Sequence, residues 1–453
     1  MAAARESIHG LWSSRWIFIL AATGSAVGLG NIWRFPYVTG ENGGGAFVLI
    51  YLACVVCVGL PIMVAETIVG RRGRRSPINS LIAIAEDEGL NTSWRLLGWL
   101  GVVAGFIVLS FYSVVAGWSV AYVFYVAGGA FSEASIEISG AQFQALTDSA
   151  PRMLGWHSLF MGMTVFIVAR GVQGGLEAAV KWLMPALFVL LVVVVGYAAS
   201  IGDIGSALHY LFSPDFSQVT GESVLAALGQ AFFSLSLGMG AIMIYGSYLP
   251  SDASIPRTIG LVAICDTTVA MLAGLAIFPL VFGFGLEPGS GPGLVFVSLT
   301  IAFGHMSGGQ IFGTLFFVLL AVAAWTSAIS LLEPIVAWLV EALQWSRRKA
   351  SLIAGLGAWT LGIGSLLSFN HWAEFKPLGR NYFEWSEFLS LTIMLPTGGL
   401  LVAIFVGWRM SRASTLDELK VVDGVFFSSW RFLVRFVAPL GVLIIFLNAL
   451  RFI

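Results

Sequence analysis

The chain has few charged residues. Only 10% of its 453 residues are Asp, Glu, Lys or Arg, whereas 58% are hydrophobic. Because a soluble protein of this length needs more charge to cover its surface, the composition excludes a soluble globular protein. The formal net charge is −1, and this balance gives no indication of a nucleic-acid partner.

Cysteine is also scarce, and nothing implies a disulfide framework. Cys54, Cys57 and Cys265 all lie in apolar stretches. Cys54 and Cys57 have the spacing of a CxxC redox or metal site, but no other thiol or histidine lies nearby, so helix packing is the favoured interpretation. The first apolar run continues to Pro36 without a small-residue cleavage pattern, so it does not predict a cleavable signal peptide.

The groups that enzyme chemistry requires are missing. The five histidines are scattered near the ends of apolar stretches, without an HExxH motif or paired spacing. An enzyme needs a nucleophile–base pair or a metal cluster, and a channel needs rings of similar charge or carbonyls. We therefore expect neither an enzyme nor a channel.

Long apolar runs are what the sequence has instead. A membrane-spanning helix needs roughly 20 mainly apolar residues, because every backbone polar group must bond within its own helix. We predict an all-α integral membrane protein with one membrane domain, 1–453. Eleven stretches meet the requirement, near 12–37, 43–70, 96–126, 156–170, 176–198, 223–250, 257–286, 309–343, 350–369, 386–410 and 428–450.

The positions of Lys and Arg predict the orientation. With the amino terminus in the cytoplasm, 18 of the 23 basic residues fall on the cytoplasmic side. We therefore expect a multi-pass protein of the cell (inner) membrane with a cytoplasmic amino terminus. The odd number of spans puts the carboxyl terminus outside. The basic residues on the outer side are Arg34, Arg152, Lys376, Arg380 and Arg451.

Two spans, five helices apart, carry glycine pairs near their middles. The first contains Gly28 and Gly30, and the sixth contains Gly238 and Gly240. A glycine costs about 1 kcal/mol in a helix interior, and matched interruptions in two halves indicate the central site of a transporter. Gly24 and Gly28 also form a GxxxG motif, so close helix packing is the alternative interpretation of that pair.

Polar side chains beside these glycines favour a binding site. Asn31, Ser234 and Ser236 adjoin the interruptions, and helix packing alone does not require them. Carbonyls of an unwound segment can coordinate a cation, while the amino ends of half-helices can hold a carboxylate. The combination suits a zwitterionic amino acid together with sodium.

Three ionisable residues lie within spans. An unpaired charge at the bilayer centre costs at least about 2.5 kcal/mol, so Arg34, Glu66 and Asp266 need a reason to be there. A purely structural ion pair is the alternative interpretation of these residues. For Glu66 this alternative is nearly as strong as a functional role, because its side chain could simply bond an unwound helix. Asp266 is the better candidate for an ion ligand.

The string from Gly28 to Pro36, GLGNIWRFP, is followed by ENGGGAF at 41–47. This sequence resembles the neurotransmitter:sodium symporter family, specifically its bacterial eleven-span amino acid transporters of the multi-hydrophobic or tyrosine type. The resemblance implies two five-helix inverted repeats, 12–198 and 223–410, with helices 1 and 6 broken at mid-membrane. It also implies an extra eleventh helix, 428–450.

The resemblance further implies two Na⁺ sites, with hard oxygen ligands as alkali cations require. The first site takes Ala26, Asn31, Ser234 and Asp266. The ligands of the second are Gly24, Val27, Ala323, Thr326 and Ser327.

An amino acid substrate is implied beside the first sodium. Its carboxylate meets Tyr112 and the amides of Leu29 and Gly30. A flexible thioether at Met239 favours large hydrophobic or aromatic side chains, although Met239 could merely pack. The full implied set is Ala26, Leu29, Gly30, Val108, Tyr112, Phe233, Ser234, Ser236, Met239, Ser327 and Leu331.

Members of this family differ in whether they bind chloride. Tyr51, Gln230 and Ser234 match the family's chloride shell, but Asp266 puts an acid inside it. A second anion beside Asp266 would be repelled strongly at low dielectric, so we expect chloride-independent transport. Protonation of Asp266 could compensate charge on the return step.

The resemblance also implies gates on both sides. Arg34 pairs with an acid of the tenth span, Glu387 or alternatively Glu384, and Phe233 forms an aromatic lid. On the inner side Tyr248 and Glu341 match the closing network. The family's amino-terminal arginine is displaced, because His9 stands at its usual distance before Trp12 and Arg5 lies four residues earlier.

The fifth span carries the spacing Gly175-x9-Pro185. In related members this spacing lets the helix unwind at its cytoplasmic end, since proline removes a backbone donor and glycine adds freedom. A permanently kinked helix is the alternative interpretation.

The predicted function is therefore a sodium-coupled symporter that imports a hydrophobic or aromatic L-amino acid by alternating access. The partners are the amino acid, two sodium ions and membrane lipid. A sodium-coupled carrier of a small or non-α-amino acid, and a non-transporting amino acid sensor, are the alternatives. The oligomeric state does not follow from the sequence.

Overall fold

The computed structural model describes residues 5–289 and 293–449, and within these ranges every regular element is a helix. Residues 1–4, 290–292 and 450–453 lie outside the described residues. They include the last position of the predicted eleventh span, 428–450, and the predicted outer-side Arg451. The first helices in chain order are α1 Arg15–Ala26, α2 Gly30–Glu41, α3 Gly45–Gly73, α4 Pro77–Asp87, α5 Thr92–Ala127, α6 Ile136–Thr147, α7 Ala150–Ala169, α8 Val172–Ile201 and α9 Ile204–Phe212.

The second half of the chain continues in the same way. Two single-turn 3₁₀ helices, Phe216–Gln218 and Pro377–Gly379, lie in connecting segments. The helices of this half are α10 Gly221–Ser234, α11 Ala241–Ser247, α12 Ile255–Gly283, α13 Leu294–His305, α14 Gly309–Leu343, α15 Arg347–Leu367, α16 Tyr382–Arg409, α17 Arg412–Leu419 and α18, 425–449.

Nine of the helices in the described ranges are long and apolar enough to cross a membrane, and the bent pair α1–α2 makes a tenth. The predicted sixth span, 223–250, is divided between α10 and α11, of 14 and 7 residues. Neither piece is long enough to cross alone. The count of eleven therefore depends on treating this pair as one span, and it stays a prediction, as does the division into repeats 12–198 and 223–410.

The outer surface of the bundle is rich in exposed apolar side chains. Large apolar side chains stand exposed around the bundle, for example Trp182 at 77%, Ile264 at 64% and Phe166 at 55% of their full accessibility. A soluble protein would bury side chains of this size. The exposed apolar surface accords with helices that face hydrocarbon.

The core is built around two long helices. α5 packs along α14, α7 packs against α15, α12 against α8, and α11 against α3. Close approach is possible where small residues meet backbone: a Cβ on Gly70 of α3 would lie 1.9 Å from the Met243 carbonyl of α11. This packing fixes the two helix interruptions against each other at the centre of the molecule.

Candidate ion and substrate site

The first interruption lies between α1 and α2, which are bent by 51° relative to each other. Val27 takes an extended conformation there, with φ −72° and ψ 107°. The backbone between Ala26 and Gly30 therefore leaves the regular hydrogen-bond ladder, and its carbonyls become available to other partners.

The second interruption lies between α10 and α11 and has an unusual backbone. Ser236, Gly238 and Gly240 all have positive φ, of 53°, 77° and 73°. A positive φ is uncommon for serine, and the Ser236 hydroxyl donates a 2.8 Å hydrogen bond to the Ser25 carbonyl. The second interruption is thereby bonded to the first.

Glu66 of α3 supports the second interruption. Its Oε1 accepts a 2.7 Å hydrogen bond from the Gly238 amide, and the side chain is fully buried. Gly238 also has no room for a side chain, since a Cβ would lie 2.3 Å from the Leu395 carbonyl. This contact agrees with the interpretation that Glu66 simply bonds an unwound helix.

A first polar cluster joins α2, α3, α10 and α12. Asn31 Nδ2 donates to Asp266 Oδ1 at 2.8 Å, and the Ser234 hydroxyl donates to Asp266 Oδ2 at 2.6 Å. Tyr51 Oη lies 3.2 Å from Ser234 Oγ, and all four side chains are fully buried. The cluster is a carboxylate surrounded by hydroxyl and amide groups, which is a donor set suited to a hard cation.

A second oxygen cluster joins the first interruption to α14. The Ser327 hydroxyl lies 3.3 Å from the Gly24 carbonyl and 3.2 Å from the Val27 carbonyl. Thr326 Oγ1 donates to the Ala323 carbonyl at 3.0 Å. Ser327 Oγ also lies 3.2 Å from the Ser25 carbonyl, so these contacts bring neutral hydroxyl and carbonyl oxygens of the first interruption and α14 together. No group of three or more His, Cys, Asp or Glu side chains suited to a metal ion occurs in the ranges that the structure describes.

A small cavity of about 20 Å³ lies between the two interruptions. One end is polar, where Tyr112 Oη accepts a 3.1 Å hydrogen bond from the Leu29 amide. The remaining lining is largely apolar. The full lining is Ser25, Ala26, Gly28, Gly30, Val108, Tyr112, Phe233, Ser236, Met239, Ser327 and Leu331.

Nine of the residues that the sequence assigned to the substrate line this cavity. Ser234 lies in the first polar cluster instead, and Leu29 contributes its amide to Tyr112. Sequence reasoning missed Ser25 and Gly28 as lining residues. Gly28 was signalled by the GLG motif, whereas nothing in the sequence distinguishes Ser25 from other small residues of α1.

The outer side of the cavity is covered by Phe233 and Arg34. The Arg34 guanidinium lies 5.4 Å from the Phe233 ring centre and donates to Gln230 Oε1 at 3.0 Å. Arg34, Glu384 and Glu387 line one outer cavity of about 390 Å³. No ion pair joins Arg34 to either acid among the salt bridges of residues 5–289 and 293–449, so the expected outer pair is not formed in this conformation.

Tyr248 and Glu341, both expected in the inner closing network, have different partners in the structure. Tyr248 Oη donates to Glu333 Oε1 at 2.6 Å, and Arg347 pairs with the same carboxylate. Glu341 is held from α4 and by His9. The physical reason is position along α14: Glu333 lies eight residues, about two turns, before Glu341 and faces the end of α11.

The N-terminal strap, residues 5–14, lies across this inner end of the bundle. Arg5 pairs with Asp87 of α4 at 2.8 Å, and His9 Nε2 lies 2.9 Å from Glu341 Oε1. The Trp12 indole donates to the Tyr245 carbonyl at 3.1 Å. The strap therefore takes the place of the arginine bridge that the family resemblance suggested.

The fifth predicted span is helical in this structure. α8 runs from Val172 to Ile201 with Pro185 inside it, and its first turns, Val172–Glu177, are widened to π geometry. Gly175 lies in this widened segment. The predicted unwinding around Gly175 and Pro185 is therefore not present in this conformation.

Comparison with known proteins places this geometry in context. The family model described as "Sodium:neurotransmitter symporter family" matches residues 9–132 and 130–452. A sodium-dependent transporter of Bacillus subtilis, YhdH, is 39% identical over 440 residues, which is 96% of this chain and 97% of the relative. A sodium-dependent transporter of Haemophilus influenzae is 34% identical over 449 residues, covering 97% and 98%.

A solved structure is also similar. The crystal structure of MhsT in complex with L-phenylalanine matches with a TM-score of 0.90 and 44% sequence identity. The match covers 97% of this chain and 99% of MhsT.

Proposed function

The chain belongs to the sodium:neurotransmitter symporter family, and on that premise we propose that it imports a hydrophobic or aromatic L-amino acid together with sodium by alternating access. The observation that carries the proposal is the cavity between the two interruptions. Its polar end is formed by Tyr112 and the first interruption, and its apolar end by Val108, Met239 and Leu331.

An α-amino acid fits this division. A carboxylate at the polar end would accept hydrogen bonds from the amides of Leu29 and Gly30 and from the Tyr112 hydroxyl. It would replace the present hydrogen bond from the Leu29 amide to Tyr112 Oη. The side chain then points at Met239, whose flexible thioether adapts to large apolar groups. MhsT was crystallised in complex with L-phenylalanine, and this likeness supports an aromatic substrate here.

The two oxygen clusters support the proposal of two sodium sites. We assign a first ion to Ala26, Asn31, Ser234 and Asp266, next to the substrate carboxylate. The sodium ion and the carboxylate then neutralise part of each other's charge. A second ion goes to the cluster of Gly24, Val27, Ala323, Thr326 and Ser327. That ion ties the first interruption to α14 in the place of the present Ser327 hydrogen bonds.

Chloride is not needed in this scheme. Asp266 carries a fixed carboxylate within hydrogen-bonding distance of Ser234 and Asn31, and Tyr51 also contacts Ser234. A chloride ion among these groups would face that negative charge at low dielectric. Transport then takes place in the cell (inner) membrane, with the N-terminal strap on the cytoplasmic side.

The test is binding of tritiated tryptophan, tyrosine and leucine to the purified chain. Sodium chloride is compared with sodium gluconate and with choline chloride, and unlabelled amino acids compete. We expect saturable binding that requires sodium, is unchanged without chloride and is strongest for aromatic side chains. Binding that persists in choline would overturn sodium coupling, and loss in gluconate would overturn chloride independence.

A sodium-coupled carrier of a small or non-α-amino acid is the second candidate. The volume of about 20 Å³ favours it, because a space of this size holds about one water molecule. The competition panel separates the two candidates. Displacement by glycine or alanine at lower concentration than by tryptophan supports the small substrate.

A further inference from the structure

His9 is the centre of the N-terminal strap. Its side chain is only 2% exposed, and its Nε2 lies 2.9 Å from Glu341 Oε1, whose side chain is 5% exposed. The contact joins the strap to the inner end of α14. A buried carboxylate at this position needs donors, and a charged partner contributes more than a neutral one.

The other donors to Glu341 are neutral. The Ser76 amide and hydroxyl donate at 2.7 and 2.6 Å, and Asn79 Nδ2 donates at 2.6 Å. His9 is therefore the one hydrogen-bond partner of Glu341, among the described residues, that can bring a positive charge. Whether this carboxylate is neutralised depends on the protonation of a single imidazole.

The other polar and charged groups around His9 make hydrogen bonds or ion pairs with residues other than His9. The Tyr248 ring, at the end of α11, has its centre 6.0 Å from the His9 ring, and its hydroxyl is bonded to Glu333. α4 presents neutral Ser76 and Asn79 at this contact. Three charged groups around the strap have partners of their own, in the pairs Glu333 with Arg347, Asp87 with Arg5, and Glu177 with Ser13.

We propose that His9 is a proton-controlled latch on the strap. When the imidazole is protonated it ties the strap to Glu341 by a charge-assisted hydrogen bond, and when it is neutral the strap is held more weakly. The proton concentration on this side of the membrane then sets how often this face opens. The inference goes beyond the proposed function, because it applies whichever amino acid is carried.

The other strap contacts do not respond to protons in the same range. Arg5 is held by its ion pair with Asp87, and Trp12 is held through its indole N–H and its amide, which bonds the Tyr248 carbonyl. Histidine, in contrast, changes charge between about pH 5 and 8. The family resemblance places an arginine at this distance before Trp12, and an arginine is charged at every physiological pH.

The test measures hydrogen exchange of residues 5–14 in the full chain in lipid nanodiscs, without sodium or substrate. Exchange at about pH 6 and about pH 8, on either side of the histidine range, is corrected for intrinsic chemical rates. We expect strap opening to be about five- to tenfold less frequent at the lower pH, the difference between a charged and a neutral hydrogen bond.

Three variants test the origin of the effect. His9→Arg should stay protected at both pH values, and His9→Gln should be less protected at both. Arg5→Gln removes a different anchor, so it should lower protection overall and keep the dependence on pH. The proposal is overturned if the unmodified chain shows equal protection at both pH values, or if His9→Gln keeps the full dependence. Neither result bears on sodium coupling.

Discussion

Gly28 occupies a position where a side chain would displace two functional oxygens. A Cβ there would lie 2.4 Å from Ser327 Oγ and 2.6 Å from Tyr112 Oη. Both atoms lie at the tips of side chains that can move away. A side chain at this position would therefore disrupt the binding site but leave the fold intact. The missing side chain of Gly24 serves packing, since a Cβ there would meet Met184 Sδ at 2.8 Å, while its carbonyl lies in the second oxygen cluster. The two interpretations of the GxxxG motif therefore each apply to one glycine.

Gly28→Ala should lower affinity for the amino acid at least tenfold, about 1.4 kcal/mol, because the displaced Tyr112 and Ser327 oxygens no longer meet the ligand. Equilibrium binding of the best substrate in sodium buffer measures this. Gly162→Ala is the matched control, since a Cβ at Gly162 has nothing within 4 Å. Unchanged affinity in Gly28→Ala would contradict the site assignment.

Ser236 combines an unfavourable φ of 53° with a hydrogen bond to the Ser25 carbonyl. Ser236→Ala and Ser236→Gly both lose the hydrogen bond, but only glycine relieves the backbone. We therefore expect Ser236→Gly to be the more stable of the two by about 1 kcal/mol. Thermal unfolding in one detergent gives the comparison, and an alanine variant as stable as the glycine variant would show that the backbone is unstrained.

Among the elements, α8 begins with a widened turn that depends on a glycine. Gly175 lies where a Cβ would meet the Ile167 carbonyl at 2.1 Å, whereas its neighbour Gly174 has nothing within 4 Å. The Ile167 carbonyl belongs to the backbone, so it cannot move aside as the tip of a flexible side chain can. The start of α8 is therefore fixed against the end of α7 by the absence of one methyl group.

Gly175→Ala should loosen the segment Val172–Glu177, while Gly174→Ala leaves it unchanged or slightly more ordered because alanine favours helix. Hydrogen exchange of the first turns of α8 in the two variants distinguishes them. The reverse order of protection would mean that Gly175 is not needed for the widened turn.

Helices were the part of the fold that the sequence predicted best, because membrane spans need long apolar runs. The α3, α5, α12 and α14 helices lie close to the predicted stretches. The inner network was harder to predict from the sequence. Tyr248 bonds Glu333, and only the packing of the helices determines which acid of α14 it meets. Ser25 was missed because its position is fixed by a hydrogen bond to Ser330, which lies far away in the chain. No local sequence pattern indicates that contact.

For the whole molecule, sodium and substrate should stabilise each other's binding. If the substrate carboxylate adjoins the first sodium, the factor by which sodium raises substrate affinity equals the factor by which substrate raises sodium affinity. Titrations of each ligand at zero and saturating concentrations of the other measure both factors. Asp266→Asn should reduce this shared factor, and a factor that stays unchanged would contradict the assignment of Asp266 to the common site.

The two ends of the molecule are fastened unequally. The strap is bonded to α4, α8, α11 and α14, whereas Arg34 on the opposite end has no carboxylate partner in the described ranges and lines an open cavity with Glu387. In the proposed orientation, fastening of this kind holds the cytoplasmic face closed more firmly than the outer face. If the chain carries sodium as proposed, a closed cytoplasmic face also blocks sodium that has entered without an amino acid, which would protect the membrane potential from uncoupled leak.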